Sequence, residues 1–215
     1  MSAEVLDRLA ELQVVPVVEI DDAPDAVALA RTLVAAGLPV VEITLRTPAA
    51  LEAVARVAAE VPDCLVGAGT LLNPAMVVAA ADAGASFGVS PGLTIACLDA
   101  AAEHGLPYVP GAVTPGEVMT ILAAGQRHMK FFPAGAFGGV ATLTALAAPF
   151  SSSGARFMPT GGVTNDNAAD YLALPTVFAV GGTWVAPRAD VAARRWDGIA
   201  DRARAAAVLR PRAVV

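Results

Sequence analysis

With 215 residues, 56% hydrophobic and 16% charged, the chain has the apolar material for one large core and too few charges to stay disordered. A formal net charge of -6 excludes bulk attraction to nucleic acid or to an anionic membrane surface, so an anionic small molecule would need a local basic or glycine-rich site. The opening MSAEVLDRLAEL lacks the basic-then-apolar order of a secretion signal, and no apolar run reaches the roughly 20 residues of a membrane span.

A cytoplasmic protein is therefore expected. Cys64 and Cys97 lie in separate apolar segments and read as reduced, buried thiols. With two histidines beside them, no metal site is expected.

Along the chain, strand-length apolar runs alternate with Ala-rich segments of helical period. The pattern predicts strands over 14–20, 40–45, 65–68, 87–90, 107–110, 128–132, 156–159 and 177–180. It predicts helices over 24–36, 48–61, 74–83, 94–104, 114–124, 138–147, 165–173 and 191–208. Thr47-Pro48 and Asn73-Pro74 place a capping side chain ahead of a Pro in the first turn. Gly37, Gly84 and Gly125 follow helix ends, where a left-handed residue is needed. Eight β-then-α units with short connections predict an α/β fold, a single (β/α)8 TIM barrel with a closed parallel sheet spanning 1–215 as one domain. The absence of G-x-G-x-x-G after the first strand argues against an open doubly wound sheet. Residues 209–215 read as a loose tail.

Barrel chemistry sits at the C-terminal ends of the strands. Of 14 basic side chains, Lys130 is the single lysine. It falls within the apolar sixth strand, Met129-Lys130-Phe131-Phe132. An amine can lose its proton and attack a carbonyl, which a guanidinium cannot do. Glu42, inside Val41-Glu42-Ile43 of the second strand, is costly there unless paired or used. The two read either as an interior ion pair or as a nucleophile with its proton-transfer partner. Arg46, just past that strand, could clamp a carboxylate with two parallel N–H groups, or could be a surface arginine. Thr70, after Gly69, could add a hydroxyl. Thr160-Gly161-Gly162 ends the seventh strand and Gly181-Gly182-Thr183 the eighth; these two loops together suggest a phosphate cradle of backbone N–H groups. His104 reads as a helix-end residue, and His128 lies at the strand end away from the chemistry.

The runs VVEITLRTP, VGAGTLLNP, GVSPGL, YVPGAVTPGE, KFFPA, FMPTGGV and VGGTWV follow one another across nearly the whole chain. Their order resembles the 2-keto-3-deoxy-6-phosphogluconate (KDPG) aldolases, a family that includes 4-hydroxy-2-oxoglutarate aldolases. The resemblance implies a class I, metal-free carbon–carbon lyase, typically a homotrimer, acting on a phosphorylated keto acid and pyruvate with no nucleic acid or membrane partner. It implies an imine on Lys130 as the only covalent cofactor-like species, with Glu42 moving protons. It makes Arg46 and Thr70 contacts of the pyruvate carboxylate, Pro91 and Phe132 walls of the pocket, and Gly161, Gly162 and Thr183 the phosphate site. Thr183 stands where many members carry Ser, Gly135 where some carry Glu, and Val18-Glu19-Ile20 where some carry an Arg. The expected activity is reversible cleavage of KDPG to pyruvate and glyceraldehyde 3-phosphate. The alternatives are preference for 4-hydroxy-2-oxoglutarate or the galactonate epimer, a phosphosugar isomerase, or a phosphometabolite-binding barrel without imine chemistry.

Overall fold

A computed structural model describes residues 2–209, so residues 210–215 of the expected loose tail lie outside the described region. Eight parallel strands alternate with helices in chain order. They are β1 (Val14–Val18), β2 (Val40–Thr44), β3 (Leu65–Gly69), β4 (Phe87–Val89), β5 (Tyr108–Val109), β6 (His128–Phe131), β7 (Arg156–Pro159) and β8 (Val180–Gly182). The helices are α1 (Ser2–Leu12), α2 (Ala23–Ala35), α3 (Ala50–Glu60), α4 (Pro74–Asp82), α5 (Ile95–Glu103), α6 (Pro115–Ala123), α7 (Gly139–Ala147), α8 (Ala168–Leu172), α9 (Arg188–Ala192) and α10 (Trp196–Ala207).

Six strands form one curled parallel sheet in the order β5-β4-β3-β2-β1-β8, and β6 pairs with β7. Between the two sheets the ladders narrow to single bridges, Gly111 with Lys130 on one side, and Phe157 with Val177 and Thr160 with Gly181 on the other. The first seam is short because Pro110, just past β5 and facing β6, has no N–H to donate. It is still hydrogen bonded: the Lys130 N–H donates to the Pro110 carbonyl at 2.8 Å, and the Lys130 carbonyl accepts from Ala112 at 2.8 Å.

The strands are buried on both sides, which is why their sequences run apolar rather than alternating. Leu29 and Leu33 of α2, Val54 and Val57 of α3, and Val118 and Ile121 of α6 are fully buried in the common core. Each helix thus contributes an apolar stripe.

Asn73 caps α4 as expected, its side chain accepting from the Met76 N–H at 3.0 Å. Gly37, Gly84 and Gly125 all have φ between 80° and 84° past their helices. Four expectations need correction. Residues 2–12 form a helix that the expected elements did not include. Thr47 does not cap α3; its hydroxyl donates instead to the Ile20 carbonyl, and the helix starts at Ala50. β8 begins at Val180, so only the last residue of the expected 177–180 run belongs to it. The expected last helix is broken, α9 ending at Ala192 and α10 starting at Trp196, with Arg194 at φ 53° in the break.

Candidate active site

The strand ends gather their side chains around a cavity of about 170 Å³ lined by Arg46, Thr70, Pro91, Lys130, Phe132, Thr160, Gly161, Gly162, Gly182 and Thr183, with Val17, Thr44 and Val163. Ten of the twelve residues singled out from sequence therefore line one cavity. Glu42 and Gly181 are the two that do not.

Lys130 is 5% exposed and its Nζ donates to Glu42 Oε1 at 3.4 Å. The same Nζ lies 5.1 Å from the centre of the Phe132 ring, near enough for a cation–π contribution when the amine is charged. Register explains the meeting. Lys130 pairs with Met158 of β7, while Glu42 of β2 pairs with Val17 and Gly67, so the two side chains reach each other across the interior between non-adjacent strands. Glu42 is 0% exposed and sits behind Lys130; its Oε2 has no hydrogen-bond partner among the described residues.

Glycines on β3 make this arrangement possible. A Cβ on Gly67 would lie 2.3 Å from the Phe87 ring, and one on Gly69 would lie 2.3 Å from Glu42 Oε1. Gly69→Ala is therefore expected to push the Glu42 carboxylate off line and lower kcat about 10²-fold. The fold should persist, as circular dichroism and thermal unfolding would report. A variant with normal kcat would show that the exact position of this carboxylate is unimportant.

Thr70 has φ 62°, rare for a β-branched residue and costing about 1–3 kcal/mol. Such strain is usually retained where a side chain is needed in one place. Pro91 is brought in by a loop that Ser90 shapes, its hydroxyl donating to the Gly92 carbonyl at 2.7 Å. Gly111 allows that loop to approach, since a Cβ there would lie 2.3 Å from the Pro91 carbonyl oxygen.

In the loop after β7, Gly161 and Gly162 have φ of 84° and 80°. The N–H groups of Gly161, Gly162, Val163 and Thr183 have no protein acceptor among the described residues, and all four residues line the cavity. Asn167 braces this loop: its amide donates to the Gly162 carbonyl at 3.0 Å and its Oδ1 accepts from the Thr164 N–H at 2.8 Å. Gly181 lies behind the wall instead. A Cβ there would be 2.5 Å from Thr160 Oγ1, so this glycine makes room for Thr160 rather than touching the cavity.

Glu19 had no expected role, and it accepts from Arg46 Nη1 at 2.7 Å. Nor had Arg188, which donates to the other Glu19 oxygen at 2.9 Å. Asn167 was missed too, although the Thr164-Asn165-Asp166-Asn167 run is typical of side chains that cap turns. Thr44 was findable, two residues beyond Glu42 on the same strand face.

His128 is away from the cavity, its ring edge-on to Phe178 at 4.8 Å, and burial holds its pKa below the ordinary value. His104 ends α5, its Nδ1 3.0 Å from the Ala100 carbonyl. Cys64 and Cys97 are free and buried, and burial pushes the Cys64 thiol up to about 12. No group of three or more His, Cys, Asp or Glu side chains among the described residues could hold a metal ion.

Residues 5–201 match the family model described as KDPG and KHG aldolase. The chain belongs to this aldolase family. The KHG/KDPG aldolase of Escherichia coli (strain K12) is 46% identical over 193 residues, 90% of each chain. The KDPG aldolase of Legionella pneumophila, with pyruvate captured at low pH as a covalent carbinolamine intermediate, superimposes with a TM-score of 0.90 at 38% identity, covering 96% of this chain and 98% of that one. The KDPG aldolase of Zymomonas mobilis ZM4 with 3-phosphoglycerate gives a TM-score of 0.87 at 42% identity, covering 98% of both. Members of the family are thus known with a keto acid bound covalently and with a phosphorylated three-carbon acid. In this aldolase-family chain, the amine and the glycine loops line the same cavity.

Proposed function

We propose that this protein is a class I aldolase that reversibly cleaves KDPG to pyruvate and glyceraldehyde 3-phosphate. The observation that carries the reading is Lys130 Nζ on the cavity wall, 3.4 Å from a fully buried carboxylate, in a chain of this family. The Lys130 amine adds to the C2 ketone, giving a carbinolamine that loses water to an iminium. Glu42, reached past Lys130 or through a water, takes the proton from the C4 hydroxyl. The C3–C4 bond then breaks, its electrons flowing into the iminium to give an enamine, and the aldehyde leaves. Protonation at C3 and hydrolysis release pyruvate and restore the amine. Arg46 and Thr70 bind the carboxylate, while Pro91, Phe132 and Thr160 shape the pocket between the two anionic ends. No metal is needed, because the iminium is the electron sink.

The phosphate reading rests on the four unspent N–H groups at Gly161, Gly162, Val163 and Thr183. Gly182 belongs to the same loop, and Gly181 supports it from behind. Binding energy from a phosphate remote from the scissile bond can be used to orient the substrate, so kcat as well as KM should respond. The phosphorylated C6 keto acid should therefore exceed its non-phosphorylated form and 4-hydroxy-2-oxoglutarate in kcat/KM. Thr183→Val, which removes one hydroxyl, should lower kcat/KM about 10-fold for the phosphorylated substrate alone, as expected for a hydrogen bond to a charged group. Equal efficiency on all three substrates, with equal losses in the variant, would reduce these loops to turns.

The eight strands read as a closed barrel and a single domain. The support is the hydrogen bonding of both seams, with Lys130 joined to Pro110 and Ala112, and Phe157 to Thr176 and Phe178. A homotrimer is carried over from the family resemblance, and exposed apolar side chains such as Leu72, Ile95, Met119 and Phe137 are available to an interface. A cytoplasmic setting fits two free, buried cysteines.

A further inference from the structure

Arg46 stands between the active-site cavity and a second cavity of about 250 Å³, whose wall includes Glu19, Thr44, Arg46, Thr183, Pro187 and Arg188. Arg46, Thr44 and Thr183 line both cavities. The Arg46 side chain is 58% exposed, and an exposed arginine with nothing to hold it samples many rotamers. Here it is held by one contact, from Nη1 to Glu19 Oε1 at 2.7 Å. Its Nε and Nη2 make no hydrogen bond among the described residues, so two donors of the fork stay free for a substrate carboxylate.

The anchor is itself anchored. The Glu19 side chain is 23% exposed, and its other oxygen accepts from Arg188 Nη1 at 2.9 Å. Arg188 in turn donates from Nε and Nη2 to the two Asp21 oxygens at 3.0 and 2.7 Å, a two-pronged pair that fixes its plane. The same guanidinium holds the Asp21 carboxyl below its ordinary pKa. Two consequences follow. Arg188 occupies the Glu19 oxygen that would otherwise complete a two-pronged pair with Arg46 and use up the fork. It also offsets the negative charge that Glu19 would present to an anionic substrate. Exposed ion pairs of this kind contribute little to stability, so aim is the property they can set.

We infer that Glu19, held by Arg188, is a positioning residue that fixes the Arg46 guanidinium in the direction that receives the substrate carboxylate. The inference rests on the reading of Arg46 as the carboxylate contact, and it adds two residues from β1's end and α9 to the specificity apparatus.

The test uses borohydride trapping of pyruvate on the intact protein. The trapping rate is measured against pyruvate concentration for the parent, Glu19→Ala, Glu19→Gln, Arg46→Ala and the Glu19→Ala/Arg46→Ala double variant. Glu19→Ala should raise half-saturating pyruvate about 3–10-fold while the saturated rate is retained, the loss expected when a side chain is no longer pre-ordered. Glu19→Gln should recover part of that loss, because its amide oxygen still accepts from Nη1. Arg46→Ala should raise half-saturation further, and the double variant should be no worse than Arg46→Ala alone, since Glu19 acts through Arg46. Unchanged half-saturation in Glu19→Ala, losses that add in the double variant, or an Arg46→Ala variant that binds normally would each overturn the positioning role. In those cases parent trapping at Lys130 would leave the imine reading intact. A parent that fails to trap pyruvate would overturn both.

Discussion

Replacing Lys130 with Arg or Met should reduce KDPG cleavage to background. Arg keeps the positive charge beside Glu42 but has no amine that can form an imine. Met keeps nearly the volume and loses both charge and amine. The pair separates chemistry from packing, because a longer, planar group in a site only 5% exposed can cost about 1–3 kcal/mol of stability by overpacking. The Met variant also leaves Glu42 buried without its cation, so both variants need an unfolding measurement beside the assay. Loss of activity in both, with a cooperative unfolding transition retained, is the expected outcome. An Arg variant that still cleaves at a tenth of the parent rate would place the chemistry elsewhere.

The second large effect is expected at Glu42. Glu42→Gln preserves shape and a hydrogen-bond acceptor toward Lys130 but removes the group that accepts a proton. Turnover should fall by roughly 10²–10⁴-fold, the range for a positioned general acid–base. Pyruvate should still be trapped, more slowly, because the Lys130 amine remains on the cavity wall. Near-normal turnover in Glu42→Gln would make Glu42 a charge partner and leave the proton to another group.

Much of this site was legible because buried strands tolerate few charges. Glu42 and Lys130 stand out as ionisable residues inside apolar runs, and a composition with one lysine marks the second further. The first seven strand positions followed from the same runs, and Asn73 and the helix-ending glycines followed from local backbone chemistry. What escaped depends on tertiary partners. α1 is the exception: Val5, Leu6, Leu9 and Leu12 recur at helical spacing, a legible amphipathic pattern that was missed, and Leu6 and Leu9 pack into the core. Thr47 had a choice between capping α3 and donating to Ile20, and the chain's return past β1 decided it. Gly181 resembled a phosphate-loop glycine, but the room it leaves is filled by Thr160 from another strand. The Glu19–Arg188 pair joins residues 169 positions apart, beyond any local pattern.

The most direct test of the central claim is mass spectrometry after borohydride reduction in the presence of pyruvate. The chain has a single lysine, so the α-amino group is the only competing amine. A pyruvate-derived mass is expected on the peptide containing Lys130, absent without borohydride and absent in Lys130→Met. An unmodified Lys130 peptide from protein that is cleaving KDPG in the same buffer would contradict that claim.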